Sequence, residues 1–401
     1  MLTLRWTRRR FRALSYAILL CSATAIWVLI NHERTKTHTL SPNLVDLPSD
    51  FNTELLSPSE IHQTCRSHGF TAHNPPSPPA KRKVYDLILL STELDWLEIR
   101  LNTLAPQVDY FVVLESPTTF TGNPKPLHLQ ENYSLFAPFH PKIIHRVVPD
   151  TIQSPRIWDH EDFLRNALFT HVFPDLVGTP QQANEGDVLV VSDVDEIPRP
   201  GTIALLRLCD FPLRLTLASQ FYYYSFQWRH RGPQWPHPDA TVYRGEGTIL
   251  PNDLRQGLLP STATATIWSR LTLPLFSLRR HFSRSRLQNS AWHCSSCFST
   301  LAELRTKMSS FSHASLNSPA NRDTKTIVGR VREGLDLFGR EGERYERVYE
   351  RVGDGEGDFP AYVRGEFERE GRFGWLVGRE GTGAGFVDFE GEGDGNGENG
   401  L

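Results

Sequence analysis

Residues 186–200 read GDVLVVSDVDEIPRP. Val188, Leu189, Val190 and Val191 form an unbroken apolar run of strand length, the pattern of a fully buried strand. The run ends in Ser192, Asp193, Val194, Asp195 and Glu196, and Pro198 blocks its continuation. In an extended chain, residues two apart point the same way, so Asp193 and Asp195 project together from a strand end. Two carboxylates held that close repel each other unless a positive charge stands between them. A hard divalent cation that also grips a diphosphate supplies that charge. The plainer reading is an acidic strand-to-loop junction that only solvates the strand end.

Upstream, strand and helix patterns alternate. VYDLILLS (84–91) is a buried strand, and ELDWLEIRLNTLAP (93–106) carries Leu94, Leu97, Leu101 and Leu104 at helical spacing. VDYFVVLES (108–116) and KIIHRVVP (142–149) are further strands, and WDHEDFLRNALFTHVF (158–173) is an amphipathic helix. This order predicts an α/β fold with a mainly parallel sheet and covering helices. The ligand crevice of such a sheet lies at the carboxyl ends of its strands. Glu93, Asp95, Glu115, Asp193 and Asp195 all fall at or just beyond such ends. No G-x-G-x-x-G follows the first strand and no G-x-x-x-x-G-K-[ST] occurs, which argues against a dinucleotide oxidoreductase and a P-loop ATPase.

Downstream the pattern is less regular. SQFYYYSFQWRHRGPQW (219–235) is dense in aromatic residues on both faces of an extended segment, a core pattern for most of them. Trp228 and Trp235, beside Arg229, His230 and Arg231, are better placed to stack on a sugar ring. In AWHCSSCF (291–298), Cys294-x-x-Cys297 and His293 lack a second Cys or His pair at zinc spacing, so a disulfide or packing role is the plainer reading. His293 and His313 are candidate late contacts to a metal or phosphate. On the helix, Arg165 either reaches a phosphate or pairs with Glu161 at i,i+4.

Ala13 to Ile30 is an uncharged, mostly apolar run of 18 residues preceded by five arginines, Arg5 to Arg12. Its length and charge bias predict a single-pass anchor with residues 1–12 cytoplasmic and the remainder across the membrane. A cleaved signal peptide is the rival reading. Residues 31–80, rich in Pro, Ser and Thr, predict a stem, with the segment around Cys65 able to dock on the domain. A domain over 81–389 and a disordered Gly/Glu-rich tail over 390–401 follow. Lys and Arg number 43 against 46 Asp and Glu, a near balance that argues against a nucleic-acid partner. Cys65, Cys209, Cys294 and Cys297 permit two disulfides in an oxidising compartment, with the pairing open. Asn132-Tyr133-Ser134 is a glycosylation sequon.

Taken together, STELDWLEIRLNTLAPQVDYFVVLESPTTFTGNPKPLHL (91–129), VLVVSDVDEIPRP and WHCSSCF resemble glycosyltransferase family 17. The similarity continues through Trp158, Glu161, Arg165, Lys307 and His313 to the AGFVDF end, Ala384 to Phe389. The resemblance implies a GT-A-like fold behind the transmembrane helix and Pro-rich stem, in a single-pass type II protein of the Golgi or a neighbouring secretory membrane. It implies an inverting transfer of N-acetylglucosamine from UDP-GlcNAc to a mannose of a glycoprotein N-linked glycan, in β-1,4 linkage, with a divalent metal, manganese in type. Asp193, Asp195 and His293 would hold that metal, and Lys125 and Arg165 would face the diphosphate. Glu93, Asp95 and Glu115 would bond donor hydroxyls, and Trp228 and Trp235 would carry the acceptor. An inverting displacement also needs a carboxylate base, for which Asp239, Glu246 and Glu303 are candidates. Two departures stand out: Ala291 replaces the Gly usual before Trp-His-Cys, and the chain from Gly334 on is full of Gly, Glu and Arg. The alternative from another class is a membrane-anchored glycan-binding protein with an inactive transferase fold, which has no need of Asp193 and Asp195. A phosphatase with a DxD nucleophile fits poorly, because Ile197 and Pro198 follow Glu196.

Overall fold

The Val188–Val191 run lies inside an eleven-stranded mixed sheet. The structure is a computed structural model that describes positions 16 and 22 and residues 36–45, 47, 51–74, 81–256, 284–340, 349–353 and 357–390. The strands in chain order are β1 (Lys36–Thr39), β2 (Thr71–Ala72), β3 (Val84–Leu89), β4 (Tyr110–Glu115), β5 (Ile143–Val147), β6 (Val188–Asp193), β7 (Glu196–Pro198), β8 (Cys209–Asp210), β9 (Arg214–Tyr223), β10 (Ser225–His230), β11 (Asp239–Val242), β12 (Arg284–Ser295) and β13 (Tyr349–Arg351). The longer described helices are α1 (Pro58–Ser67), α2 (Leu94–Leu104), α3 (Ile157–Thr170), α4 (Pro200–Leu208), α5 (Pro251–Gln256), α6 (Leu301–Ser310), α7 (Thr324–Glu333) and α8 (Ala361–Glu370).

The main path of the sheet runs β1-β12-β9-β11-β6-β3-β4-β5. Strands β5, β4, β3 and β6 are mutually parallel. The chain steps from β3 outward to β4 and β5, then returns to β6 on the other side of β3. That reversal is a topological switch point, where the loops diverge and leave a crevice. Leu89 pairs with Asp193 across it. Alternation along β3 fixes the two layers. Val84 and Ile88 face the cluster holding Leu97 and Leu101 of α2 and Ile203 and Leu206 of α4. Tyr85 and Leu87 face Leu164 and Leu168 of α3. The expected parallel-rich α/β architecture is therefore present.

The second half is built differently. β11 runs antiparallel to both β6 and β9, and β12 lies parallel to β9. Tyr222, Tyr223, Tyr224 and Phe226 are buried, so the aromatic segment is core, as its two-sided pattern predicts. Tyr224 takes φ 66°, which breaks the alternation between β9 and β10.

The expected stem needs correction. β1 pairs parallel with β12, α1 is closed by a Ser57–Glu60 capping box, and Cys65 is disulfide-bonded to Cys209. Leu40 and Leu44 are buried, and Leu44 lies so close to α4 that a Cβ at Gly201 would stand 1.9 Å from its carbonyl oxygen. The described residues between 36 and 74 are thus part of the domain, because a few apolar side chains and one cross-link outweigh a polar composition. The expected anchor, 13–30, lies outside the described residues apart from positions 16 and 22. No helix among the described residues is long and apolar enough to cross a membrane.

The Gly- and Glu-rich C-terminal region also folds onto the domain. Arg379, 3% exposed, donates to the carbonyls of Tyr224 and Phe298. Asp388 accepts from the first backbone amides of α6, Leu301 N at 2.7 Å and Ala302 N at 3.0 Å. Residues 391–401 lie outside the described residues. The second pair of cysteines closes the local Cys294–Cys297 bridge.

Candidate active site

A cleft of about 430 Å³ opens at the switch point. Ser91 and Glu93 beyond β3, Ser116 and Thr118 beyond β4, and Asp193 to Asp195 beyond β6 line its floor. Arg165 of α3, Arg255 of α5 and Lys307 of α6 close its sides. Trp158, Phe120, Phe311 and His313 make an aromatic wall.

The acidic turn is held from below by a buried ion pair. Asp86 in β3 and Arg100 in α2, both 0% exposed, meet in two bonds of 2.6 Å. The remaining Arg100 nitrogen donates to the carbonyls of Asp193, Val194 and Glu196 at 3.1, 3.2 and 2.7 Å. Arg100 therefore fixes the path of the turn rather than facing the cleft.

Two further arginines engage the turn's side chains. Arg165 Nη1 bonds Asp193 Oδ1 at 2.9 Å, and Arg255 Nη2 bonds Asp193 Oδ2 at 3.1 Å. Arg255 also grips Glu196 at 2.6 and 3.0 Å, while Trp235 Nε1 donates to Glu196 Oε1 at 2.8 Å. Burial pushes the Asp193 carboxyl up, but Arg255 and Arg165 outweigh it and hold it well below the usual carboxylate range. Glu196 is lowered in the same way by Arg255.

Asp195, 8% exposed, pairs with no arginine among the described residues. Its Oδ1 lies 3.7 Å from His293 Nδ1. Burial pushes its carboxyl up, offset in part by His293 and Lys307 and reinforced by Asp193 and Glu196. His293 Nδ1 is buried and finds no hydrogen-bond partner among the described residues. Its ring is stacked with Phe221 at 5.1 Å and Trp235 at 5.2 Å, which fixes its plane. An orphaned imidazole nitrogen facing a buried, under-compensated carboxylate offers two donors toward a divalent cation, and no group of three or more His, Cys, Asp or Glu placed to hold a metal occurs among the described residues.

The other expected site residues divide. Glu93 and Lys125 line the cleft. Glu93 Oε1 pairs with Lys307 Nζ at 2.7 Å, while the hydrogen bonds of Lys125 Nζ among the described residues go to carbonyls, Ser91 O at 3.4 Å and Pro126 O at 3.3 Å. Arg165 lines the cleft and bonds Glu161 at 2.5 Å as well as Asp193, so the i,i+4 pairing is present. Trp235 lines the cleft, whereas Trp228 packs beside the cluster holding Tyr223 and Leu337, away from it. Asp95 is not in the cleft wall. Neither is Glu115, whose carboxylate is consumed by Leu129 N, Gln130 N and His145. Glu115 does end its strand, but its side chain turns to backbone amides that need an acceptor, and Asp95 lies in the first turn of α2.

The three candidate bases fare no better as cleft carboxylates. Glu303 closes the capping box of α6 with Thr300, and Glu246 is exposed on the turn between Arg244 and Thr248. Asp239 is buried behind the wall, bonded to Thr216 and His237. Asn132 caps the helix His128–Glu131 and donates to His128 O at 2.9 Å. Ala291 is fully buried in β12 opposite Ser219 and Pro198, so its methyl packs in the sheet instead of crowding the cleft. The sequence reading missed Asp86, Arg100, Arg255 and His237. A lone acid inside an apolar strand, VYDLIL, was the available signal for the first pair.

Acids, buried arginines and an aromatic wall thus meet in one strand-end cleft of an α/β domain. The model of glycosyltransferase family 17 matches residues 9–248 and 269–354, and the chain belongs to that family. It is similar to the Homo sapiens β-1,4-mannosyl-glycoprotein 4-β-N-acetylglucosaminyltransferase, 28% identical over 242 residues, which cover 54% of this chain and 41% of the human protein. The Rattus norvegicus protein of the same description is 29% identical over 242 residues, with 54% and 40% covered. The match thus spans about two fifths of the length of these relatives. Among solved structures, the glucosyl-3-phosphoglycerate synthase of Mycobacterium tuberculosis, in complex with Mn2+, UDP and glucosyl-3-phosphoglycerate, is 12% identical. It covers 65% of this chain and 80% of its own, at a TM-score of 0.27, too low to establish a shared fold.

Proposed function

We propose that this chain transfers N-acetylglucosamine from UDP-GlcNAc to a mannose of an N-linked glycan on a glycoprotein, in β-1,4 linkage, with inversion at the anomeric carbon and on a GT-A-like domain. The observation that carries it is Asp195 in the lining of a cation-walled cleft, with His293 3.7 Å from its carboxylate, in a member of family 17. Donor and linkage follow the relatives named above.

The chain's own residues have clear parts in such a transfer. Lys125 makes no salt bridge among the described residues and faces the cleft, so its ammonium is available to a diphosphate oxygen. Burial lowers its pKa, with Glu115 and Glu93 opposing that shift. Lys307 is kept charged against burial by Glu93 and Asp195, and it adds positive potential beside the turn. Arg165 and Arg255 neutralise Asp193 and Glu196, so a diphosphate entering the cleft meets little net repulsion. Trp158, Phe120 and Phe311 offer apolar surface to a nucleobase, and Trp235 offers a ring to the acceptor sugar. Asp195 and His293, with Asp193 beside them, would hold a divalent ion of manganese type, whose charge offsets the negative charge of the departing UDP.

The same reading places the chain in a Golgi or neighbouring secretory membrane as a single-pass type II protein. Two experiments test it. Released UDP is measured over a panel of UDP-sugars with manganese and an N-glycan acceptor, with UDP-GlcNAc expected to lead. Faster transfer of glucose or galactose overturns the donor assignment, and transfer only to lipid or free sugar overturns the glycoprotein assignment. Protease added outside intact microsomes is expected to remove only a short N-terminal tail, and digestion of the bulk of the chain reverses the topology.

A further inference from the structure

The loop between β10 and β11 sends two residues into the cleft wall, Trp235 and His237. His237 Nδ1 lies 2.7 Å from Asp239 Oδ2. Asp239 is 3% exposed and accepts from Thr216 Oγ1 at 2.8 Å with its other oxygen, which fixes the carboxylate in place. An imidazole that gives its Nδ1–H to a buried carboxylate keeps Nε2 as an unprotonated acceptor. Nε2 of His237 makes no hydrogen bond among the described residues.

Three other candidate acceptors in the wall are already engaged: Glu93 by Lys307, Glu161 by Arg165, and Asp193 by both Arg165 and Arg255; Asp195, 3.7 Å from His293, is the carboxylate assigned to the metal above. His313 also lines the cleft, but it stands edge-on to Trp158 and Phe311 in the aromatic wall, with no carboxylate bonded to its ring among the described residues. The charged groups around His237 are Asp239 on β11, Glu196 on β7 and Arg255 on α5, with His293 on β12 across the Trp235 ring. Arg255 neutralises Glu196, so Asp239 is the carboxylate that acts on the imidazole directly.

We infer that His237 is the general base of the transfer and Asp239 its positioning residue, an assignment that rests on the transferase reading above. The acceptor hydroxyl oxygen forms a bond to the anomeric carbon of the donor sugar. The bond from that carbon to the β-phosphate oxygen breaks, and its electron pair leaves with UDP. The hydroxyl proton moves to His237 Nε2, and the resulting imidazolium is stabilised by Asp239 until the proton passes to solvent. The sequence pattern pointed to a carboxylate base because inverting displacements commonly use one. Here the buried acid Asp239 acts through an imidazole.

The test uses the full chain with whichever UDP-sugar and glycan pair the wild type turns over, so a wrong donor assignment leaves it readable. His237→Gln is expected to lower kcat about 10²- to 10⁴-fold. The KM for the UDP-sugar and the affinity for UDP are expected to stay within about 3-fold. The acid limb of the wild-type log kcat against pH profile is expected to vanish in His237→Gln. Asp239→Asn, which keeps the imidazole, is expected to lower kcat and displace that limb, and it carries the same readout should the His237 variant fail to fold. A purely structural role would move UDP affinity and thermal midpoint together with kcat and leave the limb in place, which overturns the assignment. So does a His237→Gln kcat within about 3-fold of wild type. A wild-type chain inert with every pair overturns the transferase reading and the base together.

Discussion

Asp193 and Asp195 sit two residues apart at one strand end and are treated in opposite ways. Asp193 has an arginine on each oxygen and is held ionised. Asp195 has an imidazole at 3.7 Å and is pushed toward protonation. Elsewhere the chain repeats the first arrangement: Arg100 on Asp86, Arg255 on Glu196, Lys307 on Glu93. The contrast separates two uses of a buried acid. A carboxylate with its own fixed cation shapes the protein, and one left short of positive charge is prepared to receive it from a ligand. The motif D-x-D does not say which acid is which; the partners do.

The largest effect that sharpens this comparison is on activity. Asp195→Ala and His293→Ala are each expected to lower transfer about 10³-fold or more, the range for losing charge stabilisation at a departing diphosphate. EDTA should do the same to the wild type, and manganese should restore it. Released UDP is the measurement, and full activity of Asp195→Ala in excess EDTA would remove Asp195 from the metal's ligands.

The next effect is on stability. Arg100→Met leaves the buried Asp86 carboxyl without its cation and frees three carbonyls of the turn. A loss of about 3–5 kcal/mol in denaturant unfolding is expected. A loss under about 1 kcal/mol would mean the pair contributes little to holding the turn.

These residues also mark where sequence reading succeeds and stops. The parallel half of the sheet was legible because β3, β4 and β6 are buried on both faces and α3 shows one apolar stripe, so local pattern and tertiary environment agree. DVDE was legible as a strand end for the same reason. Its partners were not, since Arg255 sits on a six-residue helix after an irregular loop, and His237 follows a Pro in a segment with no periodicity. Glu115 and Glu303 were at the right chain positions and faced the wrong way, because backbone amides competed for them. The stem was misjudged because composition averages over 31–80 and hides Leu40, Leu44 and Cys65, the residues that dock it.

A smaller effect separates the two aspartates directly. Asp193→Asn removes a charged acceptor from two buried arginines, and a loss of about 1–2 kcal/mol is expected, discounted for a side chain that is 41% exposed. The sign follows from its lowered pKa. The wild-type contribution is fully present above the unfolded value near 4 and is lost as pH falls through the lower folded value. Asp193→Asn should therefore lose less stability than the wild type on acidification below about pH 4. Thermal midpoints across that range are the measurement, and identical acid slopes would show that the arginines do not depend on Asp193.

The smallest effect tests the rule away from the cleft. Asp95, in the first turn of α2, is pushed up to about 6 by burial and by the nearby charges of Glu303 and Glu98, with Arg372 only partly opposing them. Like Asp195 it is a carboxylate short of positive charge, but it lies outside the cleft wall and pairs with no imidazole among the described residues. Above about pH 6 it is ionised in both folded and unfolded chains, and the folded chain carries the cost of that buried charge. As pH falls through about 6 the folded state takes up the proton first, so stability rises, and the rise is complete below the unfolded value near 4. Asp95→Asn keeps the shape and removes the charge. It is expected to raise stability at pH 7.5 by on the order of 1 kcal/mol after solvent screening, and to abolish the rise between pH 7 and 4 that Asp95 contributes. Activity should stay near wild type, because the residue is outside the cleft. The readout is the difference in unfolding free energy between variant and wild type at pH 7.5 and pH 4. A difference that does not shrink on acidification would mean Asp95 is already compensated.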